Sequence, residues 1–273
     1  MAVDPAVLKP YQVRAVNDAL TSENRIHSDD IARKYGFTGA LVSGVSVFGY
    51  LAHPLVEVYG GDWLGHTMAE VRFLKPAYAD EALTVTSAAL DKPGQKRPFL
   101  TQVHNPSGTL LAELRSWRPN TLPAINPLAR SKPAAENAPR ADISWEGIRL
   151  NEPAAAYHCQ FDRQLHQEKL QLINDTLPLF HVAENAPLHP YVLLKECNLA
   201  LMRLYILPAW IHVGSNMVWR RVLRENDRIE VRTIPVDKWE RKGHQFIKLY
   251  IAMLVDGEVA FEVEHTAIFR IAA

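Results

Sequence analysis

The chain has 273 residues, 48% hydrophobic and 22% charged, enough to bury one large core or two ordinary ones. Lys+Arg and Asp+Glu both number 30, so the formal net charge is zero. That balance argues against a surface dedicated to nucleic acid or anionic membrane, which needs a basic excess, but leaves room for a local basic pocket.

The N-terminus, M-A-V-D-P-A-V-L-K-P, lacks a basic segment followed by an apolar one, so no signal peptide is expected. The apolar runs at 41–55 and 199–213 are too short or too interrupted to cross a bilayer. Together these features predict a cytoplasmic protein with no membrane partner. Two cysteines, Cys159 and Cys197, are too few for a disulfide scaffold and match no metal-ligand spacing. They read as reduced, buried thiols.

Further along, S-E-N-R-I-H-S-D-D (residues 22–30) packs Asn24, His27, Asp29 and Asp30 into one polar stretch. Asp29 and Asp30 precede I-A-R-K-Y, a short helical pattern in which acids at the N-terminus act as caps and suit the helix dipole. Their competing role is that of a catalytic acid. The apolar run 44–59 has helical length and no strand alternation, and a helix so apolar requires burial on most of its surface. Alternating segments follow at 61–85 and 104–117, the latter opening with the turn Pro106-Ser107-Gly108.

Prolines 119, 123, 127, 133 and 139, set among alanines, make residues 119–142 an extended linker between two roughly equal halves. The second half repeats the plan of the first. A buried helix is predicted at 189–207, then strands from Trp210 onward that end in a hairpin at Asp256-Gly257. Trp210 answers Trp63 and Asp227 answers Asp80 at the same offset. The expected architecture is α+β, with units 1–118 and 143–273 each wrapping an antiparallel sheet around one helix.

The duplication, the strand pair V-R-F-L-K-P-A-Y-A-D-E-A-L-T-V and the N-x-I-H-x-D segment before a buried helix resemble the MaoC-like dehydratases, double hotdog proteins related to R-specific enoyl-CoA hydratases. The resemblance implies a hydratase or dehydratase acting on an acyl thioester, carried by CoA or a carrier protein, with no cofactor. A homodimer is one assembly it allows. In the family signature, D-x-N-P-x-H, Asp and His handle a water or the proton beside the thioester carbonyl, and a helix-start glycine donates its N–H to the thioester oxygen. Asn24, His27 and Gly44 match the Asn, His and glycine, and Val45 follows the glycine in the ligand-facing turn. Ser22 stands where the signature has Asp, and Arg25, which the resemblance makes a candidate ligand contact, where it has Pro. A serine hydroxyl is no carboxylate base near neutral pH, so a thioesterase or a silent acyl-binding subunit are the rival readings. Glu23 is one residue from Ser22 and points to the opposite face of an extended segment.

In the second half, E-N-A-P-L-H (residues 184–189) imitates the signature, with His189-Pro190 also reading as a helix entry. Residues 210–215, W-I-H-V-G-S, read as a strand anchored by its tryptophan in preference to a binding loop. Lys238, Arg241 and Lys242 in D-K-W-E-R-K-G-H are candidates for gripping CoA phosphates, against the commoner role of solvating a hairpin end. No G-x-S-x-G, G-x-G-x-x-G or phosphate-binding-loop pattern is present, and the histidines lack metal-ligand spacing. No metal is expected.

Overall fold

A computed structural model describes residues 8–272. Residues 1–7, part of the stretch on which no signal peptide is expected from the sequence, and residue 273 lie outside the described residues.

The first half runs β1 (Tyr11–Arg14), α1 (Asp29–Lys34), α2 (Gly44–Tyr59), α3 (Gly61–Gly65), β2 (Thr67–Phe73), β3 (Ala82–Ala89), β4 (Gln95–His104) and β5 (Leu110–Pro119). The second runs β6 (Ala141–Asp142), β7 (Tyr157–Cys159), α4 (Arg163–Gln171), α5 (Pro178–His181), α6 (Pro190–Leu204), β8 (Tyr205–Ile206), β9 (Ile211–Trp219), β10 (Ile229–Arg241), β11 (His244–Val255) and β12 (Glu258–Arg270). Ten strands form one sheet in the order β1-β3-β4-β5-β2-β9-β12-β11-β10-β7. Read from either edge, the order is the same plan, so the halves meet head to head at β2 and β9.

That junction is antiparallel, from Thr67 opposite Trp219 to Arg72 opposite Gly214. A Cβ on Gly214 would lie 2.7 Å from the Val71 carbonyl oxygen, so the close approach requires glycine. The two long helices pack side by side, and Gly49 admits the Tyr191 and His189 side chains next to α2. Every residue of α2 from Val45 to Val56 is buried, as its predominantly apolar sequence demands. Helix α6 ends at Leu204, short of the expected 207. Tyr205 and Ile206 pair with β6 instead, since Leu207 precedes Pro208 and is driven toward extended backbone.

Turn equivalences fix the register of the duplication. Leu41 bridges Tyr78 as Pro187 bridges Arg224. The Val42 N–H donates to the Ala77 carbonyl as the Leu188 N–H donates to that of Leu223. Asp80 (φ 66°) therefore corresponds to Asn226 (φ 65°), one residue before the Asp227 expected from the tryptophan offset. Asn and Asp tolerate the left-handed conformation better than other side chains, which is why the turn selects them.

The linker is a fitted cover. Ile125, Leu128 and Ala129 pack on Tyr250, Ala252 and Leu254. Alternate residues of the same strand, Leu249, Ile251 and Met253, face the main core. Arg220 donates to the carbonyls of Pro123 and Ala124, and Arg232 to that of Ala129. Strand β11 thus reads as a continuous apolar run because both its faces are covered.

Candidate active site

Asn24 and His27 lie on a short turn that the other half holds in place. The Trp210 N–H donates to Asn24 Oδ1 at 3.0 Å, and Asn24 Nδ2 donates to the Trp210 carbonyl, also at 3.0 Å. This double clasp fixes which way the amide points, and the second amide hydrogen is directed to His27 Nε2 at 3.3 Å. His27 Nδ1 is 2.7 Å from the Leu41 carbonyl, which can only accept, so Nδ1 carries the proton and Nε2 keeps its lone pair. Burial pulls the imidazole pKa below 6.5, outweighing the Leu41 carbonyl and the Asp18 carboxylate, which favour the charged form. His27 is a buried, oriented imidazole whose neutral form is favoured.

Helix α2 begins opposite this turn. Ser43 makes no side-chain cap, and the Ser46 and Val47 N–H groups return to the Ser43 carbonyl. The Gly44 and Val45 N–H groups have no partner among the described residues. An uncapped helix start presents donors and the positive end of the dipole to whatever lies in front of it.

What lies in front is a cavity of about 370 Å³ lined by His27, Ser43, Gly44, Val47, Phe73 and His212, with other, mostly apolar, residues. A second lobe of about 210 Å³ is lined by Asp18, Ser22, Lys195 and Met202, among others. Asn24, His27, Ser43, Asn198 and Trp210 line both, so the catalytic candidates stand between an apolar lobe and a polar one. Asn198 reaches the site from α6, and its Oδ1 has no partner among the described residues.

Asp18 is the buried carboxylate of the polar lobe. It accepts from Ser46 Oγ at 2.7 Å, Tyr191 Oη at 2.6 Å and Lys195 Nζ at 2.5 Å. Burial alone would raise its pKa, but the Lys195 ammonium with the two hydroxyl donors holds it below the ordinary carboxylate value. Asp18 and Lys195 are 177 residues apart, so no local motif announces the pair.

The second half closes the equivalent site. By register Gly44 corresponds to Pro190 and Ser43 to His189. Pro190 has no N–H, His189 Nδ1 accepts from the Tyr191 N–H at 3.0 Å, and the Val192 and Leu193 N–H groups return to the His189 carbonyl. His189 is therefore a cap at the position of Ser43, and the resemblance of E-N-A-P-L-H to the signature does not extend to the His27 role. Its ring is enclosed beside Phe180 and lies 3.4 Å from Asp175, which His53 also contacts at 2.8 Å.

The remaining candidates divide clearly. Ser22 lines the polar lobe, and its Oγ accepts from the Asn24 N–H at 3.1 Å, which shapes the turn. Asp29 and Asp30 lie on the exposed first turn of α1 and line neither lobe. Asp29 Oδ1 accepts from the Ala40 N–H and its Oδ2 pairs with Arg33, so the catalytic-acid role is withdrawn for both. Arg25 is exposed and pairs with Asp30 at 3.6 Å. Val45 is fully buried in the core and lines neither lobe. Lys238 is committed to the Trp145 and Ile148 carbonyls and is not a phosphate grip. Arg241 and Lys242 stand at the exposed β10–β11 turn and line neither lobe; that hairpin reaches the cavity through His244. No group of three or more metal-ligating side chains occurs among the described residues, and no described helix is long and apolar enough to cross a membrane.

No protein-family model matches the sequence, and no curated protein matches it. Solved structures do. A MaoC-like dehydratase is 11% identical over 96% of this chain and 98% of that one, with a TM-score of 0.61. A conserved hypothetical protein from Mycobacterium tuberculosis, reported to have a double hotdog fold, is 9% identical over 95% of both chains at a TM-score of 0.64. A protein named as an oleoyl thioesterase from Lactobacillus plantarum is 12% identical over 98% of both at 0.52. At such identities the likeness is one of fold, and it agrees with the repeated strand order and paired central helices: the chain is a double hotdog protein.

Proposed function

We propose that the chain is a hydratase or dehydratase of acyl thioesters, borne by CoA or a carrier protein, with one working site in its first half. The observation that carries this reading is the pairing of a neutral, oriented His27 with the uncapped start of α2. In hydration the thioester oxygen accepts from the Gly44 N–H, where enolate charge then develops. Asn198 Oδ1 accepts a hydrogen bond from water, and His27 Nε2, giving up the Asn24 amide hydrogen it accepts at rest, takes the water's proton as the oxygen bonds to the β-carbon. The imidazolium returns that proton to the α-carbon, so one imidazole serves both steps. Asn24 fixes the imidazole, and Asp18, ionised nearby, favours its charged form.

Thioester hydrolysis is the second reading, favoured by one feature: among the described residues no carboxylate is hydrogen-bonded to His27, where hydration by the family signature would use one. The two separate in a single assay. Conjugated enoyl-CoAs of several chain lengths lose their ultraviolet absorbance on hydration. Loss with the wild type but not with His27→Ala supports the proposal. Release of free thiol instead supports hydrolysis, and binding without turnover marks a silent acyl-binding subunit.

A further inference from the structure

Asp18 and Lys195 form a charge pair that joins the two halves at the polar lobe. The Asp18 side chain is 0% exposed and that of Lys195 24%. Tyr191 Oη donates to the same carboxylate oxygen as Lys195 and accepts from Lys195 Nζ at 2.7 Å. Ser46 Oγ, in the first turn of α2, donates to the other oxygen. A buried ion pair adds little net stability over an apolar pair of similar size, so stability alone gives no reason for one here.

The position of the pair gives a reason. Asn17, the residue before Asp18, donates from Nδ2 to the His27 carbonyl at 3.1 Å. One short segment thus grips the His27 turn through Asn17, and both long helices through Asp18. On α6, Lys195, Asn198, Leu199 and Met202 recur at helical spacing and line the polar lobe, which His27 and Ser43 also line. The arrangement has no counterpart in the closed half. By the register that matches Gly44 with Pro190, Lys195 answers Gly49 and Tyr191 answers Val45, neither of which has a polar side chain.

We propose that Asp18 and Lys195 are positioning residues for the reaction at His27: the buried carboxylate stands in, through space, for the one absent at Ser22, and the second half supplies the ammonium that holds it. The inference rests on the hydration reading for the reaction, though its effect on the imidazole does not. When His27 takes a proton, the Asp18 charge favours the imidazolium and the Lys195 charge opposes it, the first more strongly. Lys195, with the Tyr191 and Ser46 hydroxyls, keeps Asp18 ionised against its burial. The other charged groups around the turn are engaged elsewhere. Glu23 with Arg140, Arg25 with Asp30 and Asp29 with Arg33 form exposed pairs, and Tyr35, Lys75, His212 and His244 line the apolar lobe.

The test follows the His27 ring across pH by NMR of the imidazole nitrogens, its signal assigned by loss in His27→Ala. Asp18→Asn should make His27 titrate at lower pH than in the wild type, because the favouring charge is gone while the ammonium stays. Adding Lys195→Met should bring the titration part of the way back. That double variant removes the whole pair, which a buried site tolerates better than loss of one member, so it guards against misfolding of the single one. With an enoyl-CoA that the wild type hydrates, Asp18→Asn should lower kcat about tenfold and change KM little, the effect of removing one screened charge near a developing imidazolium. A His27 titration that does not move in Asp18→Asn overturns the inference, since a merely structural role would lower the Tm and leave the imidazole alone. An unchanged kcat overturns it too. A shifted titration in a protein that hydrates no enoyl-CoA defeats the hydration reading and leaves the charge coupling standing.

Discussion

Gly44 and Pro190 occupy the same position at the start of the two long helices, and only the glycine has an N–H to offer. On the proposed reading, this asymmetry leaves the duplicated fold with one site. Replacing Gly44 by proline should lower kcat by about a hundredfold to a thousandfold, the range found when one oxyanion donor is removed. Gly44→Ala keeps the N–H and adds a Cβ 3.3 Å from the Phe73 ring, so it should lose less. Equal losses in steady-state kinetics would mean that bulk, and not the N–H, matters here.

Asn24 is expected to be structural and functional together. Asn24→Ala strips partners from both backbone groups of Trp210 and from His27 Nε2. Leaving such buried groups unpaired should cost roughly 2–3 kcal/mol in denaturant unfolding. Turnover should fall further than the unfolding loss explains, because the imidazole loses its guide.

The central junction depends on Gly214. With a Cβ predicted 2.7 Å from the Val71 oxygen, Gly214→Ala must push β2 and β9 apart. A loss of about 1–3 kcal/mol is expected, typical of overpacking. An unchanged unfolding midpoint would show that the halves are joined by other contacts.

Acid should destabilise the protein in a defined window. Burial depresses the pKa of His27, His166, His212 and His265 below 6.5, reaching about 3 for His265. The unfolded chain takes up these protons near pH 6.5 and the folded chain resists them, so their contribution is full above that pH and is lost as pH falls toward 3. The Tm should be flat above pH 7 and decline below 6.5, and His265→Gln should make the decline shallower. Activity should keep its neutral base somewhat below pH 6.5 for the same reason. A Tm that rises on acidification would contradict the account.

The parts legible in the sequence are those written in local spacing. Apolar runs without alternation marked α2 and α6, and Asp256-Gly257 marked a tight hairpin with both residues at positive φ. Asn24, His27 and Gly44 could be nominated together because one turn and one helix start lie close together in the chain. Asp18 could not be, since its partners Tyr191 and Lys195 come from the other half. His189 fits the helix-entry reading of His189-Pro190, since its ring caps its own helix. Lys238 looked free to bind phosphate because the carbonyls that hold it lie about ninety residues upstream.

The most direct test is a crystal structure with an unreactive acyl-CoA analogue bound. The account predicts a thioester oxygen about 3 Å from the Gly44 N–H, with the acyl chain running past Phe73 toward His212 and His27 Nε2 facing the carbons beside the carbonyl. A thioester seated at the start of α6, or held away from both helix starts, would contradict it.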